Sequence, residues 1–116
     1  MNDDKTTTAA RVKIYVTTAP LLTAMFSQIR ELAKKKPEAT LNANKVKMIN
    51  RLLVDIKEVL ADEPESKYLD VLSDDDLPQN SDVLLVLSQY SASLKMFESR
   101  YYRPDEFDME YDWHTS

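Results

Sequence analysis

The sequence predicts an all-α fold, a small bundle of three principal helices with a short helix and one further N-terminal element. Three observations carry that expectation. Apolar residues recur three and four positions apart in three long segments, prolines stand at or near the borders of those segments, and glycine is absent from all 116 residues. Average usage would give a chain of this length about eight glycines. Tight hairpins and β-bulges lean on that residue, so its absence favours helices joined by Pro, Asn and Asp turns.

Residues 1 to about 8 are polar and without apolar anchors, and are expected to fray. Arg11 to Val16 reads two ways. Val12, Ile14 and Val16 alternate as in a strand, whereas Val12, Tyr15, Val16 and Ala19 fit a helix face. No partner strand is evident within the chain, which favours the helix and leaves pairing between two chains as the alternative. Pro20, with Thr18 as a candidate N-cap, marks either a helix start or a kink.

The first principal helix is placed over 20–36, with Leu21, Leu22, Met25, Phe26, Ile29, Leu32 and Ala33 as its stripe and Pro37 as its stop. After the loop PEATLNAN, the second is expected over 44–62, beginning at an Asn42 or Asn44 cap. Its seam is Val46, Ile49, Leu52, Leu53, Ile56, Val59 and Leu60. Tyr68, Leu69, Val71 and Leu72 suggest a short helix laid over the core. The third principal helix, 81–102, is the most apolar, with Val83, Val86, Leu87, Tyr90, Leu94, Phe97 and Tyr101 on one face and Pro104 beyond its end. The expected division is a helical domain, 1–103, followed by an acidic aromatic tail, 104–116.

Hydrophobic residues make up 43% and charged residues 30%, which is enough apolar material for one core in a chain of this length. No apolar run approaches the roughly 20 residues of a membrane span, and MNDDKTTT lacks the basic-then-apolar order of a signal peptide. A cytoplasmic protein without membrane contact is expected. The lack of cysteine excludes disulfides, thiolate catalysis and cysteine-bound zinc, and a chain without glycine has no phosphate loop or dinucleotide fingerprint. No cofactor is expected.

Charge is unevenly spread along the chain. Arg30 to Arg51 carries seven bases and two acids, Asp62 to Asp82 eight acids and one base, and the tail five acids with no base. The run Asp74, Asp75, Asp76 lacks the alternate ligands, glycine and closing glutamate of a calcium loop, so no metal site is expected. The single histidine, His114, has no evident partner for general-base work, and no acid lies on an apolar face where burial would raise its pKa. No catalytic residue is assigned.

Two surfaces remain. Lys34, Lys35, Lys36, Lys45, Lys47 and Arg51 cluster around one interhelical loop, but a pI near 4.8 and the absence of interleaved aromatics weigh against nucleic acid. In the tail, Phe107, Met109, Tyr111 and Trp113 alternate with Asp108, Glu110 and Asp112, so that an extended chain puts its aromatics on one side. Such a segment can anchor in a partner's groove, fold back onto its own helices, or lie on the basic Arg30 to Arg51 region of its own or a neighbouring chain, the last giving a homodimer. The leading expectation is a non-catalytic protein-interaction or regulatory module that binds through this tail. An acidic inhibitor presenting Asp74 to Asp76 in place of nucleic-acid phosphates is the alternative, and an enzyme of unknown reaction ranks third.

Overall fold

The computed structural model describes residues 5–116, and in it α1 occupies Ala9–Lys35. The helix starts where Thr8, in extended conformation, accepts a hydrogen bond on its Oγ1 from the Arg11 amide at 3.1 Å. It then runs through Pro20 without interruption. The segment 11–16 is therefore helical, and the strand reading and the start at residue 20 are both corrected. Proline in a helix interior removes the bond to the carbonyl four residues back and costs about 3 kcal/mol. Here Ile14, Tyr15, Thr18, Leu22, Met25, Phe26, Ile29 and Ala33 continue one inward stripe across the proline, while Val16 and Pro20 face solvent. The unpaired Val16 carbonyl is thus on the wet side. Core burial on both sides of the proline decides the outcome.

The second helix, α2, spans Ala43–Val59, with the Asn42 side chain accepting from the Lys45 amide at 2.9 Å. Every residue of its expected seam is buried, with Val46, Leu53, Ile56, Val59 and Leu60 wholly inaccessible. Each such side chain contributes about 1.5–3 kcal/mol of burial energy. The helix ends three residues before the expected limit, with Leu60 as its C-cap.

A 3-10 helix at Pro64–Tyr68 follows. The expected short helix does not reach Leu72. From Leu69 the chain is extended or bent, burying Leu69 and Leu72 and leaving Tyr68 and Val71 in solvent. Asn50 fixes this segment in place: its Nδ2 donates to the Leu72 carbonyl and its Oδ1 accepts from the Leu72 amide, both at 2.8 Å. The Tyr90 hydroxyl adds a bond to the Asp70 carbonyl at 2.9 Å. The segment therefore lies between α2 and the third helix.

That third helix, α3, spans Asn80–Tyr101, and Val83, Leu87, Tyr90, Leu94, Phe97 and Tyr101 are buried as expected. Gln79 is its N-cap, and the Gln79 amide donates to the Asp82 carboxylate at 3.4 Å. Asn80 and Ser81 tie the helix to the turn after α1. The Asn80 and Ser81 amides donate to the Ala39 and Pro37 carbonyls, and Asn80 Nδ2 donates to the Lys36 carbonyl. The start of α3 thereby satisfies carbonyls of the turn that follows α1. Both α2 and α3 run antiparallel to α1, which is the spine of a body measuring 52 × 23 × 22 Å.

The chain ends in a two-stranded antiparallel sheet, β1 (Tyr102–Pro104) with β2 (Tyr111–Trp113). The fold is mostly helical, with this hairpin as the departure from an all-α expectation. Among the described residues, no helix is long and apolar enough to cross a membrane.

Candidate functional site: an acidic aromatic hairpin

The α3 helix stops at Tyr101 because Pro104 pushes the preceding residues into extended conformation, and Tyr102 becomes the first strand residue. The register pairs Tyr102 with Trp113, Arg103 with Asp112 and Pro104 with Tyr111. Directly paired residues share a face. Tyr102, Pro104, Tyr111 and Trp113 thus form one aromatic side of the ribbon, with Arg103 and Asp112 on the other.

A turn without glycine closes it. The Asp105 amide donates to the Glu110 carbonyl at 2.7 Å, and the Met109 amide donates to the Asp105 carbonyl at 3.0 Å. Two acids build the bend, Asp105 Oδ1 accepting from the Phe107 amide at 2.7 Å and Asp108 Oδ1 from the Glu110 amide at 3.0 Å. Met109 takes the left-handed conformation, φ 61°, where glycine or asparagine is usual.

The base of the hairpin is anchored in the body. The Trp113 ring lies 5.1 Å from Tyr15, 6.0 Å from Phe97 and 5.1 Å from Tyr102, centroid to centroid. Beyond it, the His114 amide donates to the Tyr101 carbonyl at 2.7 Å, the Thr7 amide to the His114 carbonyl and the Ser116 amide to the Thr7 carbonyl. Residues 1–4 of the expected frayed end lie outside the described residues. Thr7, by contrast, is buried and bridges to Thr115, which corrects the expectation for that part.

The expected contact residues divide sharply. Phe107 is 94% exposed, Met109 68% and Tyr111 62%, with Asp108, Glu110 and Asp112 also in solvent. Trp113 is half-buried in the aromatic cluster and acts as a foot for the others. Period-two alternation holds only between Tyr111 and Trp113, because 105–110 is a turn. The boundary expected at residue 103 runs through the strand pair. The tail lies at the α1 N-terminal end of its own chain, away from the Arg30 to Arg51 region, so docking onto that region of the same chain is corrected.

The basic residues Lys34, Lys35, Lys36, Lys45, Lys47 and Arg51 are all exposed around the α1–α2 turn. The acidic connection returns to the same end, since the Leu41 amide donates to the Pro78 carbonyl and Thr40 bridges to Gln79. Asp74 lines one depression with Lys47, Asn50, Arg51, Val54 and Asp55. At this one point the acidic connection and the basic cluster, separate along the chain, share a surface.

Sequence reasoning missed one buried carboxylate. Glu63 is 6% exposed, accepting from the Tyr101 hydroxyl and from Arg100 Nη1, both at 2.9 Å, while Arg100 also pairs with Glu65. The Arg100 hydrogen bonds hold the Glu65 carboxyl below its ordinary range, and Glu65, with Glu63, raises the pKa of Arg100. Burial first, then the bond to Glu63, pushes the Tyr101 phenol up to about 12. These partners lie 35 to 38 residues apart in sequence, so no local pattern announces them. The arrangement is a closed ion network that ties the 3-10 helix to α3, with its donors and acceptors already engaged.

Comparison with protein-family models, with curated proteins and with solved structures finds no match for this chain.

Proposed function

We propose that the protein is a non-catalytic interaction module whose contact element is the tip of the C-terminal hairpin. The observation that carries this reading is the side-chain exposure at the tip: Phe107, Met109 and Tyr111 all stand in solvent, flanked by acids, on a ribbon whose base is packed into the body. Exposed aromatic side chains supply hot-spot area, and a ribbon already docked at its base limits the backbone ordering that contact costs. Acids around them favour a partner whose groove has a basic rim, by steering the encounter.

The phosphate-mimic reading draws less support, because Asp74 faces Lys47 and Arg51 across one depression and its field is partly neutralised there. Self-association through an exchanged tail is also less favoured, since the tail already has a seat on its own chain. The reading places the module in the cytoplasm, consistent with the lack of cysteine.

The test is affinity capture with the full chain, comparing wild type with a Phe107→Ser, Met109→Asn double variant at two salt concentrations. A partner captured by wild type, weakened at high salt and lost with the variant supports the tip. Equal capture by both proteins removes it.

A further inference from the structure

Between the hairpin and the last turns of α3 lies an open hollow of about 620 Å³, lined by Glu98, Ser99, Tyr102, Arg103, Pro104 and Tyr111. One wall is a pair of tyrosine rings in contact with each other, Tyr102 and Tyr111, centroids 5.6 Å apart and tilted by 37°, with Pro104 on the same face of the ribbon. At the helix side stands the Glu98 carboxylate, whose Oε2 accepts from the Tyr15 hydroxyl at 3.2 Å. Among the described residues no basic side chain pairs with Glu98. Arg103 borders the hollow from a strand position whose side chain alternates to the opposite face, and its Nη2 donates to the Lys5 carbonyl at 2.6 Å.

An unpaired carboxylate beside exposed aromatic faces is the chemistry that recognises a planar cation. A guanidinium can stack on a tyrosine ring while its fork donates to a carboxylate, whereas an ammonium is a strongly hydrated point charge without that planar fit. The acids of the neighbouring turn add a field of the right sign and disfavour an anionic occupant. We infer that this hollow binds an arginine side chain of the protein partner, its guanidinium stacked on the exposed Tyr111 ring and its fork donating to the Glu98 carboxylate. The inference rests on the hairpin as contact element and names the chemistry that its partner presents.

The test follows backbone amide shifts of the full chain while titrating a blocked peptide with one arginine, acetyl-Gly-Ser-Arg-Ser-Gly-amide, against the same peptide with citrulline. Saturable changes centred on Glu98, Ser99, Tyr102 and Tyr111 are expected with arginine and not with citrulline. Tyr111→Leu and Glu98→Gln should each weaken binding by about tenfold, the scale of one partly desolvated cation–π or charge-assisted contact. Both substitutions fall on exposed side chains, and glutamine can still accept from Tyr15. No saturable change, or changes along Asp105 to Glu110 that Tyr111→Leu leaves untouched, would overturn the site. An absent arginine response with capture still dependent on Phe107 rejects the hollow and keeps the hairpin. An arginine response with capture indifferent to Phe107 keeps the hollow and rejects the tip.

Discussion

Trp113 meets Tyr15 edge to face, with ring centroids 5.1 Å apart and planes inclined at 63°, and this contact joins the last strand to the N-terminal half of the longest helix. Tyr15 in turn stacks on Phe97 at 5.6 Å, so α1, α3 and the hairpin share one aromatic cluster. Such pairs add about 0.5–1.5 kcal/mol beyond their buried area. Trp113→Ala is expected to destabilise the protein by about 3 kcal/mol, toward the low end for aromatic truncations because the ring is only half-buried. Urea denaturation measures it, and a loss below about 0.5 kcal/mol would mean that the hairpin does not dock.

Asn50 offers a separate check on the long connection. Replacement by alanine leaves the Leu72 amide and carbonyl without their partners, at a cost of about 2–3 kcal/mol. Amide exchange at Leu72 should accelerate along with the loss of global stability. Unchanged protection there would show that the connection is held by Leu69 and Leu72 burial alone.

The left-handed Met109 predicts a gain. Met109→Gly removes the steric cost of positive φ and should stabilise the hairpin by about 1 kcal/mol, offset in part by the greater freedom of glycine in the unfolded chain. A thermal shift upward is the expected readout, and a downward one contradicts the turn geometry.

The pH dependence follows from the ion network and the buried phenols. Glu65 has a lowered folded-state pKa, so its contribution is present above the unfolded value and is lost as pH falls through the folded one; stability should decline on acidification below about pH 4.5. Tyr15, Tyr90 and Tyr101 are each raised to about 12, chiefly by burial. Their contribution is full below pH 10 and is lost as pH rises towards 12. Ultraviolet titration should therefore show Tyr15, Tyr90 and Tyr101 ionising late, together with unfolding.

The helical seams were legible in the sequence because they depend on spacing within one element. Val46 through Leu60 in α2, and Val83 through Tyr101 in α3, bury the residues that periodicity selects, though Val86 is only half-buried. Leu21 was assigned to the α1 stripe and lies 54% exposed, since extending the helix through Pro20 fixes the inward face on Leu22 and Thr18 instead. The passage through Pro20 was not legible. A local rule assigns a cost to the proline, but the burial that outweighs it comes from other helices. The hairpin was hidden for a related reason: without glycine it is closed by Asp105, Asp108 and a left-handed Met109, and its register is set by Trp113 finding Tyr15 and Phe97. Of the candidate site, the residue types and their exposure at the tip were readable, whereas the role of Trp113 as anchor and the burial of Glu63 depend on contacts distant in sequence.

The most direct measurement sets binding and stability side by side for two variants, Trp113→Ala and the Phe107→Ser, Met109→Asn pair. The hairpin account predicts that the tip variant loses the captured partner while its unfolding free energy falls by no more than about 0.5 kcal/mol, asparagine suiting the left-handed position, and that Trp113→Ala loses stability and partner together. A tip variant that retains the partner at full strength would contradict the account.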